Sequence, residues 1–502
     1  MRSRALRPLV YSLLVLLTLP FANGRWIIPI AAWLGPLFLV RLLRSLKELY
    51  GLVLGYCLFL ICLFLQWRGA IKGVHGPLVE IGLAALVFLS FLPFVMDRLY
   101  RNRLPGFAST LVLPLSWVAC DFALARGLAN VCSIAYSQVG DLPLLQLVSV
   151  TGTFGITFLI GWFASVMNWA WEREFEWRLV RRGLGFFFAI FVGIHVWGGW
   201  RLLADAPSWP LVRAAGITVD LEHSLADRVS EFYRKGGNLS PAEEQAMRAE
   251  MDRLDEQLAV ATYREMAAGA KLVTWSEVNA HVFASDEKTM LASFSKLAAD
   301  QKAYLFLTEA VFHTGQPKIE NKMVGLGPDG SQLFEYLKSR LSPGEPSVQG
   351  HWELPVVSTN FGILSGAICA DFTDDAYLRQ AGTHRVDIMA EPASEWKEID
   401  PIHSTYAIFR AVENGFNLIK QANFGRSIAV DYLGHTLGQT NYFLAADKTL
   451  VADLPTHGIG TIYAFIGDLF PWTCVIALLI GLFRKPLLKQ LSIALGGNLS
   501  KG

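Results

Sequence analysis

Residues 409–438, FRAVENGFNLIKQANFGRSIAVDYLGHTLG, combine the end of a helix with two consecutive strands. Asn414-Gly415 is a typical helix stop, and it ends an amphipathic helix that we predict over residues 400–414. The short apolar runs 416–423 and 427–434 that follow have the length and composition of strands. A helix that leads directly into such strands predicts an α/β domain.

The same alternation of strands and helices extends over the whole polar segment, residues 206–468. Residues 241–268 predict another amphipathic helix, because they are rich in good helix formers. Further strand candidates are 211–219, 270–277, 303–312, 322–328, 362–370 and 386–393. We therefore predict one α/β domain over residues 206–468.

The chain as a whole has the composition of a membrane protein. Hydrophobic residues make up 53% of its 502 residues and charged residues only 17%, which is unlike an ordinary soluble protein. Apolar runs suited to a bilayer core of about 30 Å lie near residues 9–22, 26–41, 50–66, 77–96, 108–125, 145–170, 184–200 and 469–483. These runs predict a seven-helix membrane domain over residues 1–205, and a last transmembrane helix with a cytoplasmic tail over residues 469–502.

Basic residues in the short loops predict the orientation, because Lys and Arg are preferentially held on the cytoplasmic side of a membrane. With seven spans before residue 201, the following residues share the side of the N-terminus: Arg41, Arg44, Lys47, Arg98, Arg101, Arg103, Arg173, Arg178, Arg181, Arg182, Arg484 and Lys485. The polar domain is then predicted to be extracytoplasmic. The formal net charge is only +1, so the overall charge does not indicate a nucleic-acid partner.

Cys369 is the single cysteine of the predicted polar domain. A lone thiol in an oxidising compartment indicates a reactive role, although a buried, inert cysteine is the alternative. Two other polar groups stand in comparable places: Glu277 closes the run KLVTWSE, and Lys338 lies in EYLKSRLSPGE. The ends of strands are where α/β folds usually present catalytic groups.

A carboxylate, an ammonium group and a thiol together suit nucleophilic catalysis. A thiol with a pKa of about 8.5 is mostly protonated near neutrality, so it needs a base or a nearby cation. We predict that Glu277 takes the proton of Cys369, and that Lys338 stabilises the negative charge formed when the thiol attacks a carbonyl. Taken singly, Glu277 also fits an ordinary strand end and Lys338 a solvated loop residue.

The order Glu277, Lys338, Cys369 resembles the Glu-Lys-Cys triad of the nitrilase superfamily, and residues 409–438 resemble a superfamily segment with an Arg-Ala-x-Glu-Asn sequence. Other segments are similar to pieces of one branch, the apolipoprotein N-acyltransferases: WVACD (117–121), AYSQ (135–138), GTFGITFL (152–159) and TIYAFIGD (461–468). This resemblance implies a polytopic α-helical membrane domain joined to an α/β domain of the nitrilase type, an α-β-β-α sandwich.

The resemblance also implies three supporting residues. Glu345, in the loop after the lysine, resembles an additional acid of the acyltransferases. Asp371 completes a Cys-Ala-Asp sequence that is closer to the Cys-x-Asp of soluble nitrilases than to the Cys-Tyr-Glu of the acyltransferases. Glu413 resembles a supporting acid of the superfamily, and an ion pair with Arg410 one helical turn away is the alternative.

The function that the resemblance implies is that of an acyltransferase in the bacterial inner membrane. Cys369 would take a fatty acyl chain from a phospholipid and pass it to the N-terminal amine of a lipoprotein. A membrane-bound amidase or nitrilase, which passes its acyl group to water, is the alternative that uses the same triad. A third alternative, an inactive scaffold or a transporter, is disfavoured by the intact triad and by the scarcity of ionisable groups within the apolar runs.

No metal or other cofactor is implied by the sequence. A His-Glu-x-x-His helix, a Cys-x-x-Cys pair and a Gly-Lys-Ser/Thr phosphate loop are all absent from it.

Overall fold

The computed structural model describes residues 2–70, 77–127 and 129–494, and the chain divides into two compact units. Within the described chain, the first unit contains residues 2–70, 77–200 and 466–494, and it is helical. The second unit contains residues 201–465 and mixes strands with helices. The end of the predicted cytoplasmic tail, residues 495–502, lies outside the described residues.

The helices of the first unit carry most of the apolar sequence. Up to residue 204 they are α1 (Arg2–Thr18), α2 (Pro29–Ser45), α3 (Glu48–Trp67), α4 (Pro77–Tyr100), α5 (Val112–Gly127), α6 (Leu142–Leu145), α7 (Val148–Thr151), α8 (Phe154–Trp171) and α9 (Trp177–Ala204). Five described segments are long and apolar enough to cross a membrane: Glu48–Trp67, Leu83–Arg103, Gly106–Gly127, Phe154–Trp171 and Trp177–Ala204. This unit is the polytopic helical domain, and the number of seven spans stays a prediction.

The apolar run at 145–170 differs from the single segment predicted. It divides into the short helices α6 and α7 and the long helix α8. Gly152 lies between α7 and α8 and has a φ of 61°, a backbone conformation that residues with a Cβ rarely adopt. The glycine therefore ends α7 and lets α8 start in a new direction at Phe154.

The second unit alternates strands with helices, as its sequence predicts. Its strands are β1 (Leu211–Ile217), β2 (Leu272–Trp275), β3 (Ala280–Phe283), β4 (Tyr304–Phe312), β5 (Glu320–Leu326), β6 (Gln332–Leu337), β7 (Val356–Thr359), β8 (Gly362–Gly366), β9 (Ile388–Ser394), β10 (Asn417–Asn423), β11 (Arg426–Val430), β12 (Thr436–Asn441) and β13 (Leu450–Pro455). Its helices are α10 (His223–Arg234), α11 (Pro241–Ala267), α12 (Glu287–Gln301), α13 (Asp375–Thr383), α14 (Asp400–Asn414) and α15 (Ile462–Ile466). The last helix, α16 (Leu469–Ala494), belongs to the first unit.

These strands form two sheets that pack face to face. The first has the order β13-β1-β2-β4-β5-β6 with β3 beside β4, and the second has the order β12-β11-β10-β9-β8-β7. Gln421 of β10 packs against Gly216 of β1 between the sheets. Helices α11 and α12 pack on the first sheet, and α14 packs on the second. The predicted α-β-β-α sandwich is confirmed.

Local sequence sets the limits of the two long helices that were predicted. Helix α14 ends at Asn414, and Gly415 follows in the left-handed conformation with a φ of 78°. Helix α11 starts with a capping box, in which Ser240 and Glu243 each bind the backbone N–H of the other.

Candidate active site

Glu277 lies two residues beyond β2, and its side chain is buried. Its Oε1 accepts hydrogen bonds from Lys338 Nζ at 2.6 Å and from Asn321 Nδ2 at 2.8 Å. Its Oε2 accepts the backbone N–H of Ser394 at 2.8 Å. Three donors from three separate segments therefore fix the position of this carboxylate.

Lys338 follows β6 and places its ammonium group between two acidic side chains. Its Nζ lies 2.6 Å from Glu277 Oε1 and 2.8 Å from Glu345 Oε2, and the side chain is only 2% exposed. Burial by itself lowers the pKa of Lys338, but the neighbouring negative charges outweigh burial and raise this pKa above its ordinary value. Lys338 is therefore positively charged at neutral pH.

Glu345 lies in the same cluster as Glu277 and Lys338. A role as an additional acid of the site requires this position. Glu345 accepts hydrogen bonds from Asn321 Nδ2 at 3.0 Å and from the backbone N–H of Ser342 at 2.9 Å, in addition to Lys338. Burial raises the pKa of Glu345, but Lys338 and the hydrogen bonds outweigh it and hold the pKa below its usual range. Asn321 donates to Glu277 as well as Glu345, so it bridges the two carboxylates.

Cys369 begins a 3₁₀ turn, Cys369–Thr373, three residues beyond β8. The prediction of a strand over the whole of 362–370 is wrong at this end. Cys369 has a φ of 46°, and such a conformation costs a non-glycine residue about 1–3 kcal/mol. Its Sγ lies 3.7 Å from the backbone carbonyl oxygen of Ser394. The Ser394 residue therefore contacts both Glu277, through its N–H, and Cys369, through its C=O.

The environment of Cys369 keeps the resting thiol protonated. Burial raises the pKa of this thiol well above its ordinary value, and the negative charge of Glu277 raises it further. Lys338 and Lys420 lower the pKa without cancelling these effects. A nucleophile of this kind needs a base that removes its proton during the reaction.

Asp371 holds the segments that carry Cys369 and Lys338 together. Its Oδ2 accepts the backbone N–H of Ile368 at 2.8 Å and the hydroxyl of Tyr336 at 2.7 Å, and its Oδ1 accepts the backbone N–H of Arg340 at 2.7 Å. The side chain is fully buried, and burial raises the pKa of Asp371 to about 6 despite these hydrogen bonds. This carboxylate acts on the geometry of the site through the backbone.

Glu413 lies on α14 and forms a buried ion pair with Arg410. The sequence analysis gave two interpretations of Glu413, a supporting acid of the site or an ion-pair partner of Arg410. The structure contains the ion pair.

The sequence did not predict four residues of this site. Asn321 and Ser394 contact Glu277, and the charges of Lys420 and Glu395 act on Cys369. A buried lysine within the apolar strand FNLIKQAN was the one available signal, because a charge at such a position needs a partner. Within the described part of the chain, no group of three or more His, Cys, Asp or Glu residues is arranged to hold a metal ion.

Each of the two units of the chain contains a segment that matches a known protein family. Residues 245–466 match the family model for carbon-nitrogen hydrolases, and residues 14–166 match that for the apolipoprotein N-acyltransferase N-terminal domain. The chain belongs to the apolipoprotein N-acyltransferase family, within the nitrilase superfamily. It is thus an acyltransferase of that superfamily and a multi-pass membrane protein.

Two relatives named apolipoprotein N-acyltransferase illustrate how far this family's similarity extends. The protein from Geobacter metallireducens is 23% identical over 456 residues, which cover 82% of each chain. The protein from Gloeobacter violaceus is 25% identical over 439 residues, or 80% of this chain and 78% of its own. Among solved structures, an amidase from Nesterenkonia sp. is similar over 49% of this chain and 91% of its own, with 18% identity and a TM-score of 0.39.

Proposed function

We propose that this protein transfers a fatty acyl chain from a phospholipid to the N-terminal amine of a lipoprotein, through a thioester on Cys369. One observation carries the proposal: segments that match the carbon-nitrogen hydrolases and the apolipoprotein N-acyltransferase N-terminal domain occur in one chain. Two lipid-anchored substrates are handled best by an enzyme that is held in the membrane itself, because tethering raises their effective concentration.

In the first half-reaction, Glu277 takes the proton of the Cys369 thiol as the sulfur attacks the ester carbonyl of the phospholipid. The Lys338 ammonium stabilises the oxyanion that forms. The S–C bond is made and the C–O bond to the lysophospholipid breaks. The departing alkoxide receives the proton from Glu277, so the base returns to its ionised form.

In the second half-reaction, the free amine of the lipoprotein attacks the thioester carbonyl. Glu277 accepts a proton from the attacking nitrogen as the C–N bond forms and the C–S bond breaks. That proton returns to the sulfur of Cys369, which restores the thiol. Glu345 supports the cycle by holding Lys338, and Asp371 supports it by holding the loops.

We further propose that residues 206–468 form the catalytic domain on the extracytoplasmic side of a bacterial inner membrane, between a seven-helix domain (1–205) and a last helix (469–502). The alternation of basic loops supports this orientation. Both lipid substrates would then be supplied from the membrane surface.

The test is a transfer assay with purified protein, a phospholipid labelled in its acyl chain, and a diacylated lipopeptide with a free N-terminal amine. We expect the label to appear on the lipopeptide. Two matched controls should give no transfer: the Cys369→Ala protein, and a lipopeptide whose N-terminus is acetylated. Label released only as free fatty acid, or hydrolysis of a small amide without any transfer, would favour the amidase alternative instead.

A further inference from the structure

A second cluster of buried charges lies next to the Glu277, Lys338 and Cys369 site. Lys420 lies on β10 and forms ion pairs with Glu391 on β9, at 3.4 Å, and with Glu395 just beyond it. His403 of α14 also contacts Glu395, with Nδ1 3.1 Å from Oε1. All four side chains are buried, and Lys420 is fully inaccessible.

The register of the second sheet explains how these groups meet. Strands β9 and β10 are parallel, with Lys420 beside Glu391 and Asn423 beside Ser394. The backbone N–H of Glu395 donates to the carbonyl oxygen of Asn423 at 2.9 Å. Gly425 lies against the Glu395 side chain, and a Cβ at this position would require the carboxylate to move. The position of Glu395 is therefore fixed from several sides.

Glu395 directly follows Ser394, the residue that contacts both reacting groups. The N–H of Ser394 donates to Glu277 Oε2 at 2.8 Å, and its carbonyl oxygen lies 3.7 Å from Cys369 Sγ. A shift of this segment would move the base and the nucleophile relative to each other. Buried charges are costly to retain unless each has a partner. The proposed mechanism gives no chemical role to the buried pair of Lys420 and Glu395.

We propose that Lys420 and Glu395 form a positioning pair, which holds the Ser394 segment and thereby sets the distance and alignment between Glu277 and Cys369. The inference rests on the catalytic roles proposed for those two residues. It makes Lys420 and Glu395 positioning residues, because their side chains pair with each other and with Glu391 and His403.

The pair also places one positive and one negative charge near the thiol. Cys369 is influenced by Glu277 and Lys338 from the first sheet and by Lys420 and Glu395 from the second. The titratable groups around the pair itself are Glu391 on β9, His403 and Asp400 on α14, and Cys369. Lys420 lowers the pKa of Cys369 and Glu395 raises it, so removing one or the other has opposite effects.

The experiment measures the rate of alkylation of Cys369 by iodoacetamide against pH, in the full-length protein, by mass spectrometry of the peptide that contains Cys369. We expect Lys420→Met to shift the profile to higher pH and Glu395→Gln to shift it to lower pH, each by about one pH unit. The Lys420→Met/Glu395→Gln double variant should return close to the wild-type profile. Acyl loading from phospholipid should fall about tenfold or more in Lys420→Met, because small displacements of reacting groups are costly.

Lys322→Met is the matched control. Lys322 is also buried and ion-paired, at 2.6 Å from Glu287, and its removal is expected to lower stability without moving the alkylation profile. Unchanged profiles in Lys420→Met and Glu395→Gln would overturn the inference, as would an equal shift in Lys322→Met. If Lys420→Met fails to fold, Glu395→Gln, which preserves shape, still decides the question. Alkylation needs no lipid, so a protein that shows these shifts but transfers no acyl chain would refute the proposed function alone.

Discussion

Replacing Lys338 by methionine would remove the cation between Glu277 and Glu345 while keeping an unbranched side chain of similar length. The two carboxylates lie 2.6 Å and 2.8 Å from Nζ and share Asn321 as a hydrogen-bond donor. Without the ammonium group, two like charges would face each other in a buried site. One of the pair is then expected to take up a proton, as neighbouring carboxylates do.

The magnitude follows from these contacts. Removing one partner of a buried ion pair costs about 3–5 kcal/mol of stability, and uptake of a proton relieves part of this cost. Loss of a group that stabilises an oxyanion lowers the rate by about 10²–10³-fold. A protonated Glu277 would no longer be a base, so we expect at least the upper end of that range.

The assay follows acyl loading of Cys369 from phospholipid by mass spectrometry, beside a thermal unfolding curve. The double variant Lys338→Met/Glu345→Gln removes one of the two carboxylates that have lost the ammonium group, so it should recover part of the stability but not the activity. If the loading rate of Lys338→Met stays within tenfold of wild type, Lys338 does not stabilise the oxyanion. A double variant that regains activity would contradict this role as well.

Four further substitutions test the site and the topology. Cys369→Ala should abolish loading in a folded protein, and Glu277→Gln should slow loading by about 10²-fold or more, because an amide cannot take the thiol proton; substantial turnover in either, measured by label transfer, would contradict the mechanism. Burial raises the pKa of Asp371 to about 6 in the folded protein, against about 3.9 for an aspartate in the unfolded chain. Between pH 6 and pH 4 the folded protein therefore binds a proton at Asp371 that the unfolded chain does not bind. The free energy of unfolding consequently rises as the pH falls from 6 to 4. Asp371→Asn should remove that slope from thermal unfolding measured against pH, and an unchanged slope would exclude Asp371 as its source. Ser331→Cys, at an exposed position, should react with an impermeant thiol reagent in intact cells, whereas labelling only after lysis would reverse the predicted orientation.

The sequence predicted best those features that local chemistry determines. Helix α14 ends where Asn414-Gly415 predicts, because a left-handed glycine stops a helix whatever surrounds it. Most central strands were predicted from their apolar runs. Strand β13 was missed, because it pairs antiparallel with β1, whose residues lie more than two hundred positions earlier in the chain. The edge strand β7 was missed because its residues alternate between exposed and half-buried positions and form no buried apolar run.

In the site, too, the sequence predicted some residues and missed those that depend on the folded chain. Glu277, Lys338 and Cys369 were predicted because they stand at strand ends and fit a known order, and the roles proposed for them stay to be tested. The bridge from Asn321 and the contacts of Ser394 depend on segments that meet only in the folded chain. Neither residue type carries a sequence signal of its own, since both are common in loops and strands of any protein.

A direct test of the thioester on Cys369 is the mass of the enzyme after incubation with phospholipid alone. We expect one acyl adduct on the peptide that contains Cys369, removable by hydroxylamine and absent from Cys369→Ala. Adding a lipopeptide with a free N-terminal amine should discharge the adduct onto that amine. An enzyme that transfers the acyl chain without ever carrying it on Cys369 would contradict the covalent mechanism.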